Sequence, residues 1–129
     1  MPARILLAED NRVNQKVALA LLAKRGHSVV VVENGRLAVE RSAAETFDVI
    51  LMDVQMPEMD GWAAARCIRE RERTTGVRVP IIGLTAHAIE DARVQCLEAG
   101  MDDVIVKPFE PGPLYAAILA ATSAASDPS

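Results

Sequence analysis

Five short apolar runs constrain this chain more than any other feature. They are Ile5-Leu6-Leu7-Ala8, Val29-Val30-Val31-Val32, Val49-Ile50-Leu51-Met52, Ile81-Ile82-Gly83-Leu84 and Val104-Ile105-Val106. Each is continuous rather than alternating, and most are rich in Val and Ile. Runs of that kind are strands buried on both faces, the habit of a parallel sheet covered by helices. Helical patterns lie between and after them. Val13, Val17, Ala20 and Leu21 recur at helical spacing, with Asn11 placed to cap the helix and Gly26 to stop it. Trp62, Ala65 and Ile68 follow the turn signal Asp60-Gly61; Ile89, Ala92, Cys96 and Ala99 run up to Gly100; Leu114, Ala117, Ile118 and Ala121 mark the last helix. The segment after Asn34-Gly35 has the weakest periodicity. Strand then helix, five times over, predicts a five-stranded parallel α/β sheet with right-handed crossovers.

Composition narrows the functional classes. A chain of 129 residues, half of them hydrophobic, is one domain with enough apolar surface to offset its ordering entropy. No run reaches the roughly 18 apolar residues of a membrane span, and the N-terminus lacks a signal-peptide pattern. Net charge −4 and four aromatic residues argue against nucleic-acid binding, which wants clustered cations and stacking platforms. Cys67 and Cys96 offer neither metal spacing nor a disulfide framework, so a reducing, cytoplasmic setting is expected. The small, polar stretch 123–129 is expected to be a flexible tail or severed linker after a single domain at 1–122.

In open α/β sheets ligands bind beyond the carboxyl ends of the strands. The residues at those ends are Glu9-Asp10, Asp53, Thr85-Ala86 and Lys107-Pro108, whereas the second strand ends in Glu33-Asn34 without a similar cluster. A single Asp at a strand end is usually a turn former or cap. Three carboxylates converging repel one another and raise their own pKa values, and a hard divalent cation resolves that repulsion. A carboxylate held between such a cation and the Lys107 ammonium is poised for phosphoryl transfer, with the Thr85 hydroxyl as an oxygen partner.

Taken together, Glu9-Asp10, Asp53 with Met56-Pro57 and Asp60-Gly61, Thr85-Ala86 and Lys107-Pro108-Phe109 resemble a response-regulator receiver domain. The resemblance runs from about Arg4 to Thr122. The stretches LLAEDNRVNQKVA, LMDVQMPEMDG, LTAHA and CLEAGMDD look like receivers carried by hybrid sensor histidine kinases. It implies a flavodoxin-like (βα)5 doubly wound sheet of order 2-1-3-4-5. It also implies that Asp53 accepts a phosphoryl group from a phosphohistidine, on a histidine kinase or histidine phosphotransfer domain. Asp10, Asp53 and the Gln55 backbone carbonyl would ligate Mg²⁺, with Mn²⁺ as the alternative ion, and Glu9 would act through a bound water. Lys107 would contact the phosphoryl group, Thr85 would move towards it with Ala86 and the following loop, and Pro108 would follow a cis bond. The side chains of Gln55 and His87 would tune the lifetime of the phosphoryl group. Such a domain catalyses its own phosphorylation and dephosphorylation without being a conventional enzyme, as a monomer or weak dimer with no membrane contact of its own. The parent chain would be a histidine kinase, membrane-anchored or not. A stand-alone single-domain regulator and a degenerate interaction module are the alternatives.

Two positions depart from that pattern. Val104 stands where receivers carry Tyr or Phe, so an aromatic rotamer switch has no ring to turn. Pro111-Gly112-Pro113 opens the last helix, where Pro is tolerated only in the first turn. Among the remaining residues, His27 reads as a solvated loop residue and both cysteines as small packing groups. His87 reads as a loop residue beside the pocket rather than a phosphoryl carrier. The run Arg69-Glu70-Arg71-Glu72-Arg73 reads as a solvated helix end with weak local ion pairs. Two other functions on this architecture are disfavoured. A flavin carrier wants a small-residue phosphate loop after the first strand, and an aspartyl phosphohydrolase wants an acid where Arg12 stands.

Overall fold

The computed structural model describes residues 2–86 and 89–126. Five strands alternate with five helices: β1 Arg4–Ala8, α1 Arg12–Lys24, β2 Ser28–Val32, α2 Gly35–Ala44, β3 Val49–Asp53, α3 Gly61–Thr75, β4 Ile81–Thr85, α4 Ile89–Glu98, β5 Asp103–Val106 and α5 Pro111–Ser126. All strand pairs are parallel, in the order β2-β1-β3-β4-β5. Each predicted apolar run is a strand, and the doubly wound flavodoxin-like order is the expected one.

Because side chains alternate across a strand, each run supplies two cores. Leu6, Ile50, Met52, Ile81 and Val104 face one side, where Ala38, Ala64, Ala65, Ile68 and Cys96 of α2, α3 and α4 cover them. Ile5, Leu7, Leu51, Ile82, Leu84 and Ile105 face the other, under Ala18 and Leu22 of α1 and Leu114, Ala117 and Ile118 of α5. Each fully buried Leu or Ile contributes about 1.5–3 kcal/mol relative to an exposed one, so strands buried on both faces concentrate stability in the sheet. The chain leaves β1 in one direction to β2 and returns to the other side as β3. That reversal puts the carboxyl ends of β1 and β3 at the crevice where such sheets bind ligands.

The expected cap Asn11 forms, and the turn residues Asn34 and Asp60 prove to be caps as well. Asn11, Asn34 and Asp60 cap α1, α2 and α3, each accepting from a backbone N–H three residues on. Even the weakly periodic α2 forms, held by its cap and by Ala38 in the core. Gly26 and Gly100, at φ 77° and 100°, follow the last turns of α1 and α4. Pro111-Gly112-Pro113 lies within the first turn of α5. That helix continues to Ser126, past Ser123, because Ala124 and Ala125 are strong helix formers and the next proline is Pro128.

Three surface readings are corrected. Arg69 and Glu72 are not solvated: their side chains are 17% and 10% exposed. Arg69 donates to the carbonyls of Gly100 and Val79 (both 2.8 Å), to Glu72 (2.6 Å) and to Asp102 (2.9 Å), tying α3 to the segment that enters β4 and to the α4–β5 turn. His27 is half-buried, and its Nδ1 accepts the Ala3 N–H at 2.8 Å, closing the turn between α1 and β2. Cys67 is exposed, so only Cys96 is a packing thiol.

Candidate functional site

The carboxyl edge of the sheet brings together Glu9 after β1, Asp53 ending β3, Thr85 ending β4 and Lys107 after β5. Glu9 and Thr85 are fully buried and Asp53 is 2% exposed, which is rare for acids unless they are paired. One pairing is explicit: the Lys107 ammonium lies 2.9 Å from Asp53 Oδ2 and 3.1 Å from Glu9 Oε1. On the other side, one carboxylate oxygen each from Glu9, Asp10 and Asp53 lies within 4.8 Å of the others, a spacing that could hold a metal ion. Asp10 is exposed and opens this cluster to solvent.

Backbone geometry sets these positions. Gly61, the first residue of α3, presses against the phosphoacceptor candidate: a Cβ there would lie 2.2 Å from the Asp53 carbonyl oxygen. The Gln55 N–H donates to Asp53 Oδ1 at 3.1 Å, orienting the carboxylate from the loop side. Lys107 N–H donates to the Thr85 carbonyl at 2.7 Å, and the Lys107-Pro108 bond is cis, as expected. Ala86 is exposed beyond β4, and His87 lies outside the described residues.

Electrostatics follow the crowding. Burial first, then the hydrogen bond and charge of Asp53, push the Glu9 carboxyl up from 4.5 to about 7, although the Asn11 N–H and Lys107 pull the other way. Burial alone would lower the Lys107 ammonium, but the Asp53 and Glu9 carboxylates outweigh it and hold its pKa above the ordinary value. Burial thus favours the neutral form of Glu9, while the half-buried Lys107 is kept charged by the two acids it pairs with.

Val104 is buried on β5 beside a surface cavity of about 360 Å³, lined also by Val106, Lys107, Phe109, Pro113 and Leu114. One contributor went unread in the sequence: Gln15, whose Nε2 donates to the Glu9 carbonyl at 2.6 Å. Its position six residues after the acid on the next helix was the available signal.

The fold and site together define an open, doubly wound α/β domain with buried strand-end acids facing a lysine at its carboxyl edge. A family model described as the response regulator receiver domain matches residues 5–119, and the chain belongs to that family. It is 40% identical over 123 residues, 92% of this chain, to hybrid signal transduction histidine kinase I of Dictyostelium discoideum, and 42% identical over 118 residues, 90% of this chain, to the sensor protein GacS of Pseudomonas syringae pv. syringae. It spans 7% and 13% of the lengths of those two relatives. Among solved structures, it is similar to the receiver domain of a sensor histidine kinase from Pseudomonas aeruginosa PAO1, with a TM-score of 0.85 and 41% identity over 95% of this chain and 99% of that one. That structure carries a magnesium ion coordinated in its active-site cleft. Among the described residues, no helix is long and apolar enough to cross a membrane.

Proposed function

We propose that Asp53 accepts a phosphoryl group from a phosphohistidine on a histidine kinase or histidine phosphotransfer domain, in a Mg²⁺-dependent reaction. The observation that carries this is the buried Asp53 carboxylate, held by Lys107 on one side and facing Glu9 and Asp10 on the other. Asp10, Asp53 and the Gln55 carbonyl would hold the cation directly, and Glu9 through a water. Their all-oxygen donor set suits a hard ion. Once bound, the cation supplies charge neutralisation at the transferring oxygens.

The protein's own groups carry the rest. An Asp53 oxygen bonds to phosphorus as the phosphorus–nitrogen bond to histidine breaks, leaving an imidazole and an acyl phosphate. Lys107 gives up part of its pairing with the Asp53 carboxylate and meets the incoming phosphoryl charge. Thr85, at the end of β4, offers a hydroxyl to a phosphoryl oxygen and draws Ala86 and its loop with it. With Val104 in place of a ring, the response is a shift in loop populations rather than an aromatic flip. Lys107→Ala should keep the fold but uncouple phosphorylation from that response. Residues 1–122 form the receiver unit in this reading, and the likeness to kinase-borne receivers supports an origin in a hybrid histidine kinase.

Acetyl phosphate with Mg²⁺, followed by intact-mass spectrometry, tests the chemistry. A single phosphoryl adduct that disappears in Asp53→Ala supports it. No adduct, together with no beryllofluoride binding, overturns it.

A further inference from the structure

The loop between β3 and α3 carries Gln55, and its path turns on one unfavourable residue. Glu58 has a φ of 66°, a positive value shared by no other non-glycine among the described residues. Met59 N–H donates back to the Pro57 carbonyl at 2.7 Å, making Glu58 the centre of a three-residue turn of the rare, strained kind. Such a conformation persists only where its surroundings over-determine it.

Those surroundings come from Asn34, the cap of α2, and from Gly35 and Arg36 in its first turn. Glu58 Oε2 accepts from Asn34 Nδ2 at 3.1 Å and from Arg36 Nε at 3.2 Å. Gly35 N–H donates to the Met59 carbonyl at 3.0 Å, and a Cβ on Gly35 would lie 2.3 Å from that oxygen. Asn34 is buried and uses both ends of its amide: Oδ1 caps α2 through Leu37 N–H, while Nδ2 reaches across to Glu58. The cap therefore fixes the amide plane that holds the loop.

We propose that Asn34 and Glu58 are positioning residues for the cation, their hydrogen bond holding the 54–60 loop in the register that places the Gln55 carbonyl at the Glu9–Asp10–Asp53 cluster. This rests on the cation site proposed above. Neither side chain touches the ion; both act through the loop backbone, as groups behind metal ligands do.

Isothermal titration with Mg²⁺ on the full chain tests it, with thermal melts alongside. Asn34→Asp is the decisive variant. Aspartate caps a helix as well as asparagine does, so α2 is kept, but its second oxygen meets Glu58 as an acceptor facing an acceptor. Loss of the tether predicts Mg²⁺ affinity weaker by about tenfold, whereas the added negative charge acting alone predicts tighter binding. Glu58→Ala should weaken binding to a similar extent, and Glu58→Gln, which keeps an acceptor for Asn34, should rescue most of the loss. Affinity that is unchanged or tighter in Asn34→Asp overturns the proposal, as does a Glu58→Gln variant as weak as Glu58→Ala. Should Asn34→Asp fail to fold, the paired Glu58 variants decide, because that side chain is exposed. A flat wild-type titration identifies a different failure, that of the cation site itself, and the tether falls with it.

Discussion

Removing the Arg69 guanidinium should destabilise the protein far more than removing Arg73 from the same charged run. Arg69 makes four hydrogen bonds, two to backbone carbonyls and two to acids, from a side chain only 17% exposed. Arg69→Ala leaves the Gly100 and Val79 carbonyls without this donor and strips Glu72 of its ion pair. Asp102 keeps Arg78 at 2.7 Å. Breaking a largely buried charged network from one side costs about 3–5 kcal/mol, and the retained Arg78 pairing places this case at the lower end, about 3 kcal/mol. For 129 residues the unfolding entropy is about 0.27 kcal/mol per kelvin, so the melting temperature should fall by about 11 °C. Arg73, 79% exposed and 3.4 Å from Glu70, is an ordinary surface pair, and Arg73→Ala should stay within about 0.5 kcal/mol. Urea unfolding, reading midpoint and slope together, measures both. A loss below about 1 kcal/mol for Arg69→Ala, or equal losses in the two variants, would refute the assignment of Arg69 as a tie between α3, the segment entering β4 and the α4–β5 turn.

Three further outcomes are expected. His27 sits below its ordinary pKa of 6.5, chiefly through burial, so its unfolded form binds the proton more readily; its contribution to stability is complete above about pH 6.5 and declines as pH falls. Melts of wild type and His27→Gln across that window should diverge on the acid side. Glu9 has the opposite sign: with a folded pKa near 7 against 4.5, its carboxyl makes the metal-free protein less stable as pH rises from 4.5 to 7. Saturating Mg²⁺ should remove that slope, and Mg²⁺ affinity measured by titration should fall as pH drops below 7; a pH-independent affinity would contradict it. Gly61→Ala should lower stability by about 1–3 kcal/mol through the clash with the Asp53 carbonyl, read by urea unfolding, and should slow adduct formation from acetyl phosphate.

Most of the sheet was legible because two-sided burial writes itself as unbroken apolar runs, and the Asn11 cap because it acts on an N–H only three residues on. The acids and Lys107 were legible for a related reason: a parallel topology sends every strand end to one edge, so position in sequence implies position in space. What stayed hidden depends on distant partners. Arg69 looks like any arginine in a charged run until Gly100, 31 residues later, presents its carbonyl. His27 looked solvated because its partner is a backbone N–H 24 residues earlier. Asn34 was readable as one end of a loop, and its second hydrogen bond, to Glu58, was not.

The strand order has a colloidal consequence. The two rims of the sheet, β2 and β5, are unequally protected against pairing with another chain. At β5, Asp103 opens a four-residue strand and Lys107-Pro108 closes it, so charge and proline both discourage addition. At β2 the segment is Ser28 followed by four valines, with no charge or proline inside it and its pairing confined to β1. High β-propensity without internal charge is the signature of segments that add to one another when exposed. Lys24 and Arg25 before it and Glu33 after it are the flanking guards. Storage and concentration limits for this protein should therefore be governed by transient opening of the β2 rim, and a lysine at the half-buried Val30 would trade some core packing for solubility.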